Sequence, residues 1–211
     1  MKSLVSIIDY GMGNLYSIKC ALDEVGINSI ITRDSTIIKN SKAIIIPGVG
    51  SFSNAMKKIK FLKIDNIIMQ HHFEKKIIFG ICLGMQLLFD KSYEGKVTNG
   101  LGIIKGNVLK FKTNKVYKKS FNVGWKKIEI ENKNKNKNNL LSKKDNYMYF
   151  IHSFYVKPSD NKIITSKSIF NGQKFVSSIK NGHVYGFQFH PEKSSKIGLD
   201  IYKCLKKILN K

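Results

Sequence analysis

Arginine is all but missing from this chain of 211 residues: Arg33 is alone among 37 basic side chains, and the rest are lysines. Arginine supplies the planar, bidentate contacts favoured for reading bases and gripping phosphates. A net charge of +23 carried almost wholly by lysines spread along the chain therefore reads as a solvated surface, and no specific nucleic acid is expected as a partner. Loose attraction to polyanions follows from the charge alone. Cysteine is scarce as well. Cys20, Cys82 and Cys204 are odd in number, far apart and without a C-x-x-C pair, which excludes a disulfide framework and a cysteine-based zinc site. His71, His72 and His183 lack ligand-type neighbours at metal spacing, so neither a metal nor another cofactor is expected. No apolar run reaches the roughly 18 residues that span a bilayer. Residues 4–8 are apolar but lead directly to Asp9 instead of a cleavage site, so no membrane partner and a cytoplasmic location are expected.

What is present suits a folded domain. A hydrophobic content of 42% can bury a core, and the length favours one domain over residues 1–211. After the apolar run come Asp9-Tyr10-Gly11-Met12-Gly13-Asn14, and then Leu15, Ile18, Leu22 and Val25 recur at helical spacing up to Gly26. Residues 28–32 and 43–46 read as further strands, the second stopped by Pro47-Gly48-Val49-Gly50. Helices are expected from Ser51 through Ile59 and over 65–73, then a strand over 77–81 followed by 82–89 as the start of another helix. Short apolar strands alternating with helices predict an α/β fold with a doubly wound, mostly parallel sheet of flavodoxin-like type.

The second half changes character. Residues 102–112, 124–131, 147–157, 163–169 and 173–179 are β-rich and predict an extension of mixed or antiparallel strands. Residues 132–139 contain only Asn and Lys and read as an exposed loop tip. Residues 183–189 return to a buried strand, and Ile197, Ile201, Leu205 and Ile208 form the apolar stripe of a closing helix.

The sharpest local signal is Gly80-Ile81-Cys82-Leu83-Gly84. Glycines around a nucleophile permit the strained strand-to-helix turn that projects it above a sheet edge, here with cysteine where hydrolases often have serine. Such a turn also sets the sulfur beside a helix N-terminus whose free N–H groups can hold an oxyanion. A small cysteine packed between glycines would give the same pentapeptide without any chemistry. The alternative loses ground to Gln188-Phe189-His190-Pro191-Glu192, which follows a buried strand and so ends at the same carboxyl edge as Cys82. A thiolate needs an imidazole to move its protons, and the imidazole needs a carboxylate to fix its tautomer. Cys20 and Cys204, within helices, read as packing residues.

Together these motifs resemble the triad-type glutamine amidotransferase family. Asp9 to Asn14, Pro47-Gly48-Val49-Gly50, Gly124-Trp125, His152-Ser153-Phe154-Tyr155 and His190-Pro191-Glu192-Lys193-Ser194-Ser195 are similar, in order, to the branch whose glutaminase subunits serve imidazole glycerol phosphate synthases. The resemblance implies hydrolysis of L-glutamine, with Cys82 as nucleophile, His190 as general acid and base, and Glu192 as its orienting carboxylate. It implies an oxyanion hole from Leu83 and a backbone N–H of Val49 or Gly50, where a glycine peptide could flip to switch activity. It implies glutamine contacts from Gly50, Gln86, Glu94, His152 and Ser153. The implied partner is a cyclase subunit with a (β/α)8 barrel, bound in a heterodimer through Asn14, Trp125, Tyr149 and Lys193 and fed with ammonia for histidine biosynthesis. Asn122 stands where this branch usually has His, and Lys126 where it has Asn. A paralogous glutaminase supplying a different synthase, such as one modifying surface sugars, is the alternative.

Overall fold

The computed structural model describes residues 4–113, 120–131, 140–141 and 147–210. Runs rich in β-branched residues, stiff at χ1 and suited to a pleated surface, form β1 (Val5–Ile8), β2 (Ser29–Thr32), β3 (Ala43–Ile46) and β4 (Ile77–Ile81). Every residue of β1 and β3 is buried, which requires cover on both faces of the sheet. That cover comes from α1 (Leu15–Glu24) and α6 (Ser195–Leu209) on one face, and from α2 (Ser35–Asn40), α3 (Phe52–Phe61) and α4 (Ile64–Phe73) on the other. The core divides accordingly: Leu22, Tyr202 and Leu205 pack with Val5, Ile7 and Ile45, whereas Ile38, Ile59 and Ile68 pack with Ile8, Ile44 and Ile46. Alternate residues of one strand thus feed opposite layers.

The sequence marks its helix ends. Asn14 accepts from the Ser17 N–H at the start of α1, and the chain leaves that helix through Gly26 at φ 70° with the Ile27 N–H on the Leu22 carbonyl. The short α2, absent from the sequence expectation, is held by Asp34, whose carboxylate accepts from the N–H groups of Thr36 and Ile37 at 2.8 and 2.9 Å.

The remaining strands are β5 (Phe89–Ser92), β6 (Thr98–Asn99), β7 (Ile104–Lys110), β8 (Asn122–Ile130), β9 (Tyr147–His152), β10 (Phe154–Pro158), β11 (Ile164–Phe170), β12 (Gln173–Asn181) and β13 (Val184–Phe187). Among the described residues, nine strands form one sheet in the order β2-β1-β3-β4-β13-β12-β11-β8-β9, and β10-β7-β5-β6 form a second. The large sheet is mixed and not mostly parallel. Pairings from β2 to β13 are parallel, and those from β13 to β9 are antiparallel. Tight turns impose this. Asn171 and Gly172, both at positive φ, join β11 to β12 as the Asn-Gly pair of a two-residue hairpin does.

Two expected elements break where partners change. The helix expected to start over 82–89 goes no further than α5 (Leu83–Leu87), because Leu101 and Ile104 donate to the carbonyls of Leu87 and Leu88 and draw Phe89 into β5. The strand expected over 147–157 becomes β9 in the large sheet and β10 in the small one, changing sheets at Ser153. The run of Asn and Lys at 132–139 lies outside the described residues.

Candidate active site

Cys82 stands between β4 and α5 at φ 52°, ψ −110°, a left-handed conformation that costs a residue bearing a Cβ on the order of 1–3 kcal/mol. The neighbouring glycines make the turn possible by close approach. A Cβ on Gly84 would lie 1.9 Å from the Ile46 carbonyl oxygen, and one on Gly80 would lie 2.8 Å from backbone atoms of Met85. The carbonyl of Cys82 accepts from the N–H groups of Met85 and Gln86 as α5 begins.

The second half of the site arrives on β13, which runs parallel to β4 with Phe187 beside Ile81. The Cys82 N–H donates to the Phe187 carbonyl at 2.7 Å, so both chains leave the sheet together. Three residues later the His190 N–H donates to the Tyr149 carbonyl at 2.9 Å. A 3-10 turn over Pro191–Lys193 then brings Glu192 Oε1 within 2.8 Å of His190 Nδ1, with the two side chains only 1% and 2% exposed. The other ring nitrogen, Nε2, is buried, and the ring interacts with the Cys82 sulfur as well as with Glu192. Burial works against a charged ring, but the negative charges of Cys82 and Glu192 outweigh it and hold His190 at about 10. The site therefore favours an imidazolium beside the sulfur.

Of the residues singled out by resemblance, Val49, Gly50, Cys82, Leu83, Gln86, Glu94, His152 and Ser153 line one cavity of about 310 Å³, together with Phe121, Ile151 and Phe154. Several of these side chains are already engaged within the protein. Glu94 Oε2 accepts from the Phe52 N–H at 2.7 Å, capping α3, and Gln86 Nε2 donates to the Phe154 carbonyl at 3.0 Å. His152 is buried, with Nδ1 2.8 Å from the Phe154 carbonyl and Nε2 2.9 Å from Asn122 Nδ2. Burial, reinforced by the charge of His190, lowers it to about 3 despite the Phe154 bond, so His152 is a neutral ring that donates through Nδ1. Asn122 is fully buried. This position therefore lies in the interior against His152, not on an outward face.

Trp125 and Tyr149 are cross-strand partners with ring centroids 6.1 Å apart, and Lys193 Nζ lies 6.0 Å over the Tyr149 ring. Trp125, Val123 and Phe121 are about half exposed on this rim. Asn14 heads α1, which packs beside the 3-10 turn that carries Lys193. Cys20, expected to pack, is exposed on α1. His72 and His183 approach to 3.2 Å, yet among the described residues no three metal-ligating side chains converge.

The chain matches the family model described as glutamine amidotransferase class-I over residues 6–201. It belongs to the class-I glutamine amidotransferase family. The amidotransferase is 39% identical over 202 residues to the imidazole glycerol phosphate synthase subunit HisH of Aquifex aeolicus, covering 95% of each chain. It is 37% identical to the protein of the same name from Bacillus subtilis, covering 94% of this chain and 93% of that one. Among solved structures, PurLQS from Thermotoga maritima shares the fold at a TM-score of 0.71 with 22% identity, over 100% of this chain and 99% of that one. A glutamine amidotransferase from the same organism does so at 0.63 with 16% identity, over 100% and 85%.

Sequence reasoning passed over Gln188 and the pairing of Asn122 with His152. Gln188 carried a signal: a polar residue in an otherwise apolar strand, two positions before His190, is a candidate for an inward-facing hydrogen-bonding role.

Proposed function

We propose that this amidotransferase hydrolyses L-glutamine at Cys82 and passes the ammonia to the cyclase subunit of an imidazole glycerol phosphate synthase in histidine biosynthesis. The observation that carries the reading is the buried His190–Glu192 pair, 2.8 Å apart, ending beside a cysteine held in a left-handed turn at the wall of a cavity of about 310 Å³. Near-complete coverage of relatives bearing that synthase name supports the choice of acceptor.

The sulfur attacks the side-chain amide carbon of glutamine. An S–C bond forms and the carbonyl electrons move to oxygen, where the Leu83 N–H and an N–H of Val49 or Gly50 receive the charge. His190 gives its proton to the amide nitrogen as the C–N bond breaks, and ammonia leaves. Water then attacks the thioester, His190 takes its proton, and the C–S bond breaks to release glutamate and restore the thiolate–imidazolium pair. Glu192 keeps Nδ1 occupied so that Nε2 does the transfer. Gly50, Gln86, Glu94, His152 and Ser153 shape the glutamine subsite.

Asn14, Trp125, Tyr149 and Lys193 dock against the (β/α)8 barrel of the cyclase in a cytoplasmic heterodimer. The parallel half is a doubly wound, flavodoxin-like unit that makes one domain with its β-rich extension over residues 1–211. The test is to mix the purified chain with the cyclase and assay glutamine-dependent formation of imidazole glycerol phosphate. Absence of binding and product, with ammonia delivered instead to a sugar-modifying synthase, rejects the histidine assignment.

A further inference from the structure

Gln188 follows β13 directly, is fully buried, and has no part in the chemistry above. Its backbone is anchored separately, the N–H donating to the Ser177 carbonyl at 2.9 Å. Its side chain reaches both a neighbour and the nucleophile: Oε1 accepts from Gln86 Nε2 at 3.1 Å, and Nε2 lies 3.7 Å from Cys82 Sγ.

The direction of this chain of contacts is set by a carbonyl. The Phe154 oxygen can only accept, so Gln86 must turn its amide nitrogen toward it at 3.0 Å. The same NH2 faces Gln188, which must therefore present its oxygen, and the NH2 of Gln188 is left for the sulfur. Rotating either amide would bring donor against donor, or acceptor against acceptor, between two buried side chains. An N–H donor aimed at a buried sulfur stabilises the thiolate over the thiol.

We propose that Gln188 is a catalytic residue: its carboxamide donates to the Cys82 sulfur and stabilises the thiolate, and Gln86 is the positioning residue that fixes which end of the amide does so. The proposal rests on the glutaminase reading, in which Cys82 is the nucleophile. The donor bonds most strongly to a charged sulfur, so it serves the attacking thiolate and the thiolate expelled on hydrolysis of the thioester. It serves the neutral thioester least.

Alkylation of Cys82 by iodoacetamide reads the thiolate without glutamine. It would be followed against pH in a background where the other two cysteines are serine. Gln188→Met keeps length and apolar packing while removing the donor. Its alkylation midpoint should rise by about one pH unit, with kcat for glutamine falling about tenfold and KM little changed. Gln86→Met leaves Gln188 in place but frees its amide to turn, so it should give a smaller shift in the same direction; it carries the test should Gln188→Met not fold. Wild-type midpoints in folded variants overturn the proposal. A wild-type chain that releases no ammonia from glutamine, alone or with a synthase, overturns the glutaminase reading itself.

Discussion

Replacing Glu192 by Gln removes one charge from a pair that water does not reach, since its two side chains are only 2% and 1% exposed. Glutamine has the same size and can still accept the Nδ1 proton through its amide oxygen, so the ring keeps its tautomer and only the charge is lost. A hydrogen bond to a charged group contributes about 1.5–3 kcal/mol, against about 1 kcal/mol for a neutral one. The difference, about 0.5–2 kcal/mol, corresponds to about one pH unit on His190 and roughly tenfold in a step that uses the imidazolium. In the wild type, with burial opposing and Cys82 and Glu192 raising it, His190 sits at about 10. The basic limb of kcat/KM should therefore lie near pH 10 in the wild type and about one unit lower in Glu192→Gln.

Stability moves with the same group. A histidine whose folded value is raised contributes stability that is complete below its unfolded value of about 6.5. That contribution is lost as pH rises through the folded value, about 10. The gap in urea midpoint between wild type and variant should be widest near pH 6 and close toward pH 10. A basic limb that does not move, together with a stability gap independent of pH, would refute the charge argument and reduce Glu192 to a steric prop.

Cys82→Ala should abolish glutamine hydrolysis while leaving the urea midpoint and synthase binding at wild-type levels, because the sulfur supplies chemistry and little core volume; ammonia release from this variant sinks the assignment. Gly84→Ala should lose more than about 3 kcal/mol in urea unfolding or fail to fold, since its Cβ would meet the Ile46 carbonyl oxygen at 1.9 Å and backbone cannot yield as a side chain tip can. Trp125→Ala should weaken binding to the cyclase by about 2 kcal/mol, roughly thirtyfold in Kd by calorimetry; an unchanged Kd would move the docking face away from β8.

Much of the candidate site was legible because its parts are local. The glycines around Cys82 and the two-residue step from His190 to Glu192 are patterns of adjacent residues, and each has a backbone reason to exist. Other features were legible only in part. Residues 147–157 bury alternate positions without a change of phase, so the segment reads as one strand. Only its partners, β8 before Ser153 and β7 after it, divide it between two sheets. The helix after Cys82 is truncated in the same way, by hydrogen bonds from Leu101 and Ile104 that no local pattern announces.

By itself the sequence determined the strands of the parallel half, most of its helices, the glycine-flanked turn at Cys82 and the short step from His190 to Glu192, because periodicity, glycine placement and short spacings act within a few residues of one another. The tertiary structure alone decided the mixed order of the large sheet, the neutrality of His152 against Asn122, and the line from Phe154 through Gln86 and Gln188 to the sulfur. These depend on which groups meet across tens of residues once water is excluded, and on which end of a buried amide must face a carbonyl.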